Sequence, residues 1–143
     1  VAETISKSQY VPSLEELRFL QQRNLGWAIT QRYWAFAEEA VQRLRHGWQD
    51  VTLYCANSIA RCMVLVAREV LGSYPKQIVD GSDAKHGHFL EGLCVRSPES
   101  LGSRDRVVVC SDTFYAEITQ RLRDNNIHRV CHWRSVPGSQ VLN

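Results

Sequence analysis

Two strand–helix–strand segments with largely apolar strands constrain this chain more than any other feature. Residues 51–55 (VTLYC) and 106–110 (RVVVC) predict two of the strands, and a helical pattern follows each of them. Strands that are covered by helices on both faces lose the alternation of apolar and polar residues found in half-exposed strands. The sequence therefore predicts an α/β fold: a small Rossmann-like domain with a mainly parallel sheet and right-handed crossovers.

The other elements of this domain follow from local signals. Asn57 is a residue type that caps helices, and the apolar residues after it predict a largely buried helix. Phe114, Ile118 and Leu122 give a later helix one apolar stripe. The predicted elements are, in order, a helix from 58 to about 71, a strand at 77–80, a loop-rich segment at 83–98 with an extended piece at 93–95, a helix from 113 to about 123 and a strand at 128–133.

The first 49 residues predict a helical segment that precedes the α/β domain. Ser13 and Glu16 have the spacing of a capping box, which predicts a short helix to about residue 23. A second helix is predicted from about 27 to 45, ended by Gly47. We therefore divide the chain into three parts: a helical segment at 1–49, a Rossmann-like domain at 50–135 and a tail at 136–143.

Trp27, Trp34 and Trp48 place three of the four tryptophans in the helical segment. They are expected to pack against the rest of the domain or against a neighbour. Because an amphipathic helix with so much aromatic area needs cover, a protein partner or a homodimer through the N-terminal helices is also expected.

Composition and charge exclude several classes of protein. A net charge of +2, with lysines and arginines scattered along 143 residues, indicates no nucleic-acid partner. No apolar run is long enough for a membrane span, and the first residues lack the pattern of a signal peptide. We therefore expect a cytoplasmic protein.

Five cysteines without a CxxC pair predict reduced, buried thiols. The nearest approach to a zinc motif is His86 and His88 with Cys94 further along, which lacks the paired ligands that zinc needs, so no metal is predicted. Cys55 and Cys110 each end a strand, and these strands are expected to be neighbours. A nucleophilic cysteine, its pKa lowered by nearby helix amino ends, is a further hypothesis.

Ligands of open parallel sheets bind at the carboxyl ends of the strands, close to the point where the strand order reverses. Two loops qualify, 55–59 and 110–114, and each leads into a helix whose free backbone amides favour an anion such as phosphate. The alternative is that the polar residues of these loops serve only as caps and turns. The candidate ligand-binding residues in the two loops are Ala56, Asn57, Ser58, Ser111 and Thr113.

Asp80 ends the second strand, where dinucleotide-binding folds use an acidic residue to bind ribose hydroxyls. The glycine-rich turn of those folds is absent, because residues 54–60 read YCANSIA, so a tight NAD site is not expected. Lys85 is predicted to pair with a phosphate. His86 and His88 are candidate catalytic residues, acting as general acid or base near neutral pH. The alternative for their loop is a solvated surface turn.

Three stretches of the chain, residues 51–71, 77–101 and 105–122, share a pattern with a known family. On these residues the chain resembles the C-terminal Rossmann-like domain of sugar C-methyltransferase-type proteins, and it is also similar to the N-terminal domain of bacterial sugar acyltransferases. It departs from that pattern at Cys55-Ala56, where a Gly-Ala turn is expected, and at Glu91, where a proline is expected. The matching residues are Asp80, Lys85, Gly87, Gly92, Ser97-Pro98-Glu99 and Tyr115-Ala-Glu117-Ile118.

The resemblance implies a pocket for a nucleotide-linked sugar, with Asp80, Lys85 and the turn at 55–59 in the site. We therefore expect a nucleotide or nucleotide-sugar binding domain in cytoplasmic carbohydrate or surface-polysaccharide modification, as part of a larger sugar-modifying transferase. One alternative is a degenerate Rossmann-like domain that serves as a protein-interaction or scaffold module. Another is an autonomous transferase or cysteine-dependent enzyme that uses His86 or His88. The sequence identifies no cofactor.

Overall fold

A computed structural model describes the backbone of residues 26–138 and the side chains of residues 33–138. The predicted capping box at Ser13 and Glu16, and the helix after it, lie outside the described residues. In the described part, no helix has both the length and the apolar character that crossing a membrane requires. The helices are α1 (Gly26–Arg43), α2 (Ser58–Val70) and α3 (Tyr115–Asp124). The strands are β1 (Val51–Tyr54), β2 (Gln77–Val79), β3 (Phe89–Leu90), β4 (Leu93–Arg96), β5 (Arg106–Val109) and β6 (Val130–His132).

The strands form one six-stranded sheet in the order β3-β4-β2-β1-β5-β6. β1 pairs in parallel with β2 on one side and with β5 on the other, and the pairs β2–β4 and β5–β6 are also parallel. β3 is antiparallel to β4. Numbered in chain order, the parallel strands follow the arrangement 3-2-1-4-5 of Rossmann-like folds, which confirms the predicted fold. The order reverses between β1 and β5, so their carboxyl ends flank the topological switch point.

Helices cover both faces of the sheet. On one face, Val51 and Leu53 of β1 enter the larger apolar cluster, which α1 and α2 complete. On the opposite face, Tyr54 joins a smaller cluster with Ile118 and Leu122 of α3. β1 is therefore buried on both faces, and even Thr52, which lies between Val51 and Leu53, is fully buried.

The helical segment before β1 is part of the larger cluster. Trp34 on α1 is 5% exposed, and Trp48, in a 3-10 turn at Arg45–Asp50, is 1% exposed. Trp48 also donates its indole N–H to the Ser73 carbonyl at 3.2 Å. The aromatic area that favoured self-association is therefore covered within the chain at both residues. Trp27 lies outside the residues whose side chains are described.

The structure differs from the predicted elements at three places within the described residues. α1 ends at Arg43, and the 3-10 turn carries the chain past Gly47 to β1. The tail predicted from residue 136 begins in a packed position, because Val136 is buried and its carbonyl accepts a hydrogen bond from Arg43 Nη1 at 2.8 Å. α3 begins at Tyr115, two residues later than predicted.

The segment predicted as loop-rich contains a hairpin of β3 and β4. The chain turns at Glu91 and Gly92, with φ values of +49° and +91°. Glu91 is held against α2, since its carboxylate pairs with Arg61 at 2.9 Å and with Arg68 at 3.1 Å. A strand of two residues has too little periodicity to be recognised from sequence.

The connection from β4 to β5 is short for a parallel crossover. It consists of residues 97–105, with one 3-10 turn at Pro98–Ser100 and no α-helix. Parallel crossovers usually have a dozen or more residues, most often including a helix. Leu101 of this connection packs against the same cluster as α3. The connection and α3 therefore share one face of the sheet, and a cleft lies between them.

Candidate functional site at the carboxyl edge of the sheet

The turn after β1 has a strained backbone at the switch point. Cys55 has a φ of +91°, a region that residues with a Cβ rarely adopt. The amide of Ala56 donates to Asp80 Oδ2 at 2.8 Å, and Asp80 is 8% exposed. A strained backbone persists only where surrounding contacts fix it. Here the buried Asp80 carboxylate at the end of β2 holds the turn in place.

Asn57 spans the crevice between the ends of β1 and β5. Its Oδ1 accepts from the amides of Ile59 and Ala60 at 3.0 and 3.1 Å, which confirms the predicted cap of α2. Its Nδ2 donates to the Cys110 carbonyl at 2.8 Å. The chain itself therefore occupies the place where a dinucleotide-binding fold receives a pyrophosphate.

Asp80, Lys85 and His86 form a second network at the end of β2. Asp80 Oδ1 accepts from the Ser82 amide at 2.8 Å. Lys85 Nζ donates to the Ala56 carbonyl at 2.9 Å and lies 3.5 Å from Asp80 Oδ2. His86 Nε2 donates to the Asp80 carbonyl at 2.6 Å. The structure thus brings three predicted site residues together, and their polar atoms contact the backbone of two turns.

The other predicted site residues lie at helix starts or in solvent. Ser111 accepts at Oγ from the Phe114 amide at 3.1 Å and so caps the turn before α3. Thr113 is exposed in that turn, and Ser58 is the exposed first residue of α2. His88 is exposed just before β3.

A further polar cluster lies at the ends of β5 and β6. Asp112 Oδ1 accepts from His132 Nε2 at 2.7 Å and from Trp133 Nε1 at 3.3 Å, and it lies 3.1 Å from Arg134 Nη2. His132 Nδ1 accepts from the Arg134 amide at 3.1 Å. Both ring nitrogens of His132 are therefore engaged, and the Asp–His pair holds this corner together. Partial burial raises the pKa of Asp112, but these hydrogen bonds and the Arg134 charge lower it by more.

The thiols at the strand ends are poor nucleophiles. Burial, aided by the Asp80 charge, raises the pKa of Cys55 to about 11. Burial also raises the pKa of Cys110 well above its usual value, and its Sγ lies 3.9 Å from Met63 Sδ in the larger cluster. The prediction that the pKa values of these thiols are lowered is wrong, because burial disfavours the thiolate and is the largest influence on both groups. Cys55, Cys94, Cys110 and Cys131 form no disulfide in the described part of the chain.

A cleft of about 430 Å³ lies on the α3 face of the sheet, beside the end of β2. Its volume falls in the range of small-molecule sites. Pro98, Leu101 and Ile127 provide apolar surface, and Asp83 and Glu99 provide carboxylates. Among the described residues, no group of three or more histidine, cysteine or acidic side chains is arranged to hold a metal ion.

A buried hydroxyl without a partner lies in the wall of this cleft. Tyr54 is 2% exposed, and its hydroxyl makes no hydrogen bond of good geometry with the described residues. The Arg121 guanidinium lies beside it: a Cβ built on Gly81 would be 3.9 Å from the Tyr54 hydroxyl and 3.7 Å from Arg121 Nη1. Burial raises the pKa of Tyr54, and the proximity of Arg121 offsets part of this rise.

Of the residues predicted from sequence to bind or catalyse, His86 lines this cleft. Sequence reasoning missed Tyr54 and Arg121, which belong to no motif and lie far apart in the chain. One signal was present: Tyr54 follows Leu53 on β1 and so points to the opposite face of the sheet.

Comparisons of this chain with models of protein families, with curated proteins and with solved structures found no match. The resemblance to domains of sugar C-methyltransferase-type proteins therefore stays a prediction.

Proposed function

We propose that this chain is a binding domain for a nucleotide or nucleotide-sugar, and that the ligand occupies the cleft beside the end of β2. The observation that carries the proposal is the buried Tyr54 hydroxyl, which makes no hydrogen bond of good geometry with the described residues and lies in the wall of a cleft that the Arg121 guanidinium also lines. Leaving such a group unsatisfied costs about 1–3 kcal/mol, so a ligand that supplies the partner is favoured.

The lining of the cleft suits the parts of such a ligand. Arg121 offers several donors to a phosphate. Asp83 and Glu99 are acceptors for sugar hydroxyls. Pro98 and Leu101 provide apolar contact for a base or for the face of a sugar ring. The position beside β2 also agrees with the edge at which open α/β sheets bind ligands.

The strand ends favour a mononucleotide over a dinucleotide. A pyrophosphate site at the switch point needs free amides at the start of the first helix and a glycine turn. Asn57 already takes the amides of Ile59 and Ala60, and Asp80 takes that of Ala56. We therefore place the ligand on the α3 face and expect little affinity for NAD.

The biological setting follows from the resemblance of residues 50–124. We propose that the domain acts in cytoplasmic carbohydrate or surface-polysaccharide modification, as part of a larger sugar-modifying transferase. The chain's own contribution would be to bind and orient the nucleotide-linked sugar.

Isothermal titration calorimetry with UMP, UDP, UDP-glucose, AMP, NAD and S-adenosylmethionine tests the proposal. We expect at least one nucleotide or nucleotide-sugar to bind and NAD not to bind. A ligand at about 100 times its Kd should also raise the free energy of unfolding by about 2.7 kcal/mol. The absence of binding by every nucleotide and nucleotide-sugar at millimolar concentration contradicts the proposal.

A protein-interaction or scaffold module is the second candidate, and the closed switch point favours it. Exposed aromatic side chains, Phe89 at 71% and Phe114 at 56%, offer apolar contacts to a partner. Light scattering over a wide range of protein concentrations, with Phe89→Ser and Phe114→Ser as variants, tests the self-association form of this candidate. A dimer that these variants weaken supports it, and a monomer at every concentration contradicts it.

A further inference from the structure

We infer that the ligand's anionic group, a phosphate monoester or a similar tetrahedral oxyanion, is held between the Tyr54 hydroxyl and the Arg121 guanidinium, next to Gly81. We refer to these three residues as the anion position. The inference rests on the proposed function and deepens it, because it states which part of the ligand the inner cleft receives. It also moves the anion away from the helix amino ends, where the sequence predicted it.

The phenolic proton of Tyr54 has no acceptor at the anion position. The hydroxyl makes no hydrogen bond of good geometry with the described residues, and its charged neighbour is Arg121. Arg121 cannot receive the phenolic proton, because a guanidinium has donors and no acceptor. An oxyanion provides acceptors for both groups at once.

The charge of Arg121 is available to a ligand. Within the described part of the chain, no carboxylate forms an ion pair with Arg121. Asp83, which also lines the cleft, lies 3.6 Å from His86 Nδ1. Arg121 is exposed on α3, so it can contact an anion in the cleft without leaving the surface. A guanidinium binds a phosphate through two parallel hydrogen bonds, which fixes the orientation of the ligand.

Gly81 leaves room for the anion. Its φ lies outside the left-handed region in which Gly72, Gly87 and Gly92 are found, so its backbone does not require glycine. A Cβ at Gly81 would lie in ordinary van der Waals contact with both donors, at 3.7 and 3.9 Å. Alanine is therefore compatible with the fold, yet its methyl group occupies space that a phosphate oxygen needs.

Titration with inorganic phosphate, followed by two-dimensional amide NMR, tests the anion position directly. We expect the largest shifts at Gly81 and its neighbours. Gly81→Ala and Arg121→Gln should each weaken phosphate binding at least tenfold. The first fills space that the phosphate needs, and the second removes a charge-assisted hydrogen bond to it. Shifts centred on the amides of Ile59 and Ala60 would place the anion at α2 and overturn the inference.

Gly102→Ala is the matched control for Gly81→Ala. Gly102 also lies outside the left-handed region, and its Cβ would be 3.9 Å from Asp105 Oδ2, at a position that does not line the cleft. This variant should bind phosphate like the wild type. Equal affinity of the wild type and Gly81→Ala, in protein that retains the wild-type amide spectrum elsewhere, overturns the inference.

Tyr54→Phe separates binding from folding. It removes the hydroxyl and keeps the ring, so we expect weaker phosphate binding without a loss in the free energy of unfolding. Unchanged phosphate affinity in this variant removes Tyr54 from the anion position and overturns the inference as stated.

UMP and uridine distinguish failure of this inference from failure of the proposed function. If UMP binds at least tenfold more tightly than uridine, and Gly81→Ala removes the difference, both stand. If UMP binds equally to the wild type and to Gly81→Ala, the anion position is wrong and the proposed function stands. If phosphate binds in a Gly81-dependent way and no nucleotide binds more tightly than phosphate, the anion position stands and the proposed function fails.

Discussion

The ends of β1 and β5 and the cleft on the α3 face are neighbours, yet their polar groups are satisfied in different ways. At the strand ends, Asn57 and Asp80 place their side-chain oxygens on backbone amides of adjacent turns. In the cleft, the Tyr54 hydroxyl makes no hydrogen bond of good geometry within the described residues, and the Arg121 beside it cannot accept its proton. The polar groups at the strand ends therefore stabilise the fold. The donors in the cleft remain available to a ligand, and this lowers the stability of the fold.

This difference shows where to look for a ligand in a fold of this kind. The strand order identifies one edge of the sheet as the place where ligands bind. A ligand can bind only at the part of that edge where polar groups do not already have partners within the chain. Asp80 stands at the position of a ribose-binding residue, but the chain itself uses both of its carboxylate oxygens.

The largest effect on stability is expected from Asp80→Ala. The variant leaves the amides of Ala56 and Ser82 without their acceptor and releases the strained backbone of Cys55, so the free energy of unfolding should fall by about 3 kcal/mol. Urea denaturation followed by tryptophan fluorescence measures the loss. Asp80→Asn, which keeps one acceptor oxygen, should lose about half as much. A change below about 0.5 kcal/mol for Asp80→Ala would mean that the strand ends do not depend on this carboxylate.

Asn57→Ala should have the next largest effect. It removes the cap of α2 and the hydrogen bond to the Cys110 carbonyl, and we expect a loss of about 2 kcal/mol in the free energy of unfolding. Asn57→Ser is the control, because serine keeps the cap and loses the bridge, so about half of the loss should be recovered. Equal losses in the two variants would show that the bridge across the crevice, rather than the cap, stabilises this region.

Tyr54→Phe is expected to change stability in the opposite direction. Removing a buried hydroxyl without a partner should leave the free energy of unfolding unchanged or raise it by up to about 1 kcal/mol when no ligand is present. Tyr74→Phe, at a side chain that is 44% exposed, should have no effect. A clear loss of stability in Tyr54→Phe would mean that the hydroxyl serves the fold, and the contrast between the two regions would disappear.

The smallest effect on stability is expected from Asp112→Asn, and it should depend on pH. The pKa of Asp112 is lowered in the folded chain: partial burial raises it, and the hydrogen bonds from His132 and Trp133 together with the charge of Arg134 lower it by more. The stabilisation is therefore fully present above the unfolded pKa of about 3.9 and is lost as the pH falls through the lower folded value. Since the side chain is half exposed, Asp112→Asn should cost within about 1 kcal/mol at pH 7 and less at pH 3. Urea midpoints at the two pH values measure this, and an equal cost at both would contradict the assignment.

The fold could be predicted from the sequence because local and global signals agree. Largely apolar strands predicted the buried parallel sheet, and Asn57 predicted the start of α2 at Ser58, where it is observed. The β3 hairpin was missed because two residues carry no periodicity. The pKa shifts of Cys55 and Cys110 were predicted in the wrong direction, because burial depends on the packed structure and is not visible in a strand pattern.

The candidate site could not be predicted in the same way. Tyr54, Gly81 and Arg121 come from β1, from the turn after β2 and from α3, and they line the same cleft as the short connection at 97–105. No local spacing encodes that arrangement. The sequence placed Asp80 and Lys85 correctly at the edge of the sheet, but it could not show that each already has a partner.

The two faces of the sheet also differ in how easily they should open. α3 packs against the smaller apolar cluster, and the cleft runs along one side of it. Hydrogen exchange reports such local openings, and elements with few buried contacts exchange before the core strands. The amides of α3 should therefore exchange with deuterium sooner than those of α2. An anion bound by Arg121 and by the turn at Gly81 would link α3 to the sheet. Binding in the cleft should therefore slow the amide exchange of α3, even though the proposed contact on α3 is the Arg121 side chain.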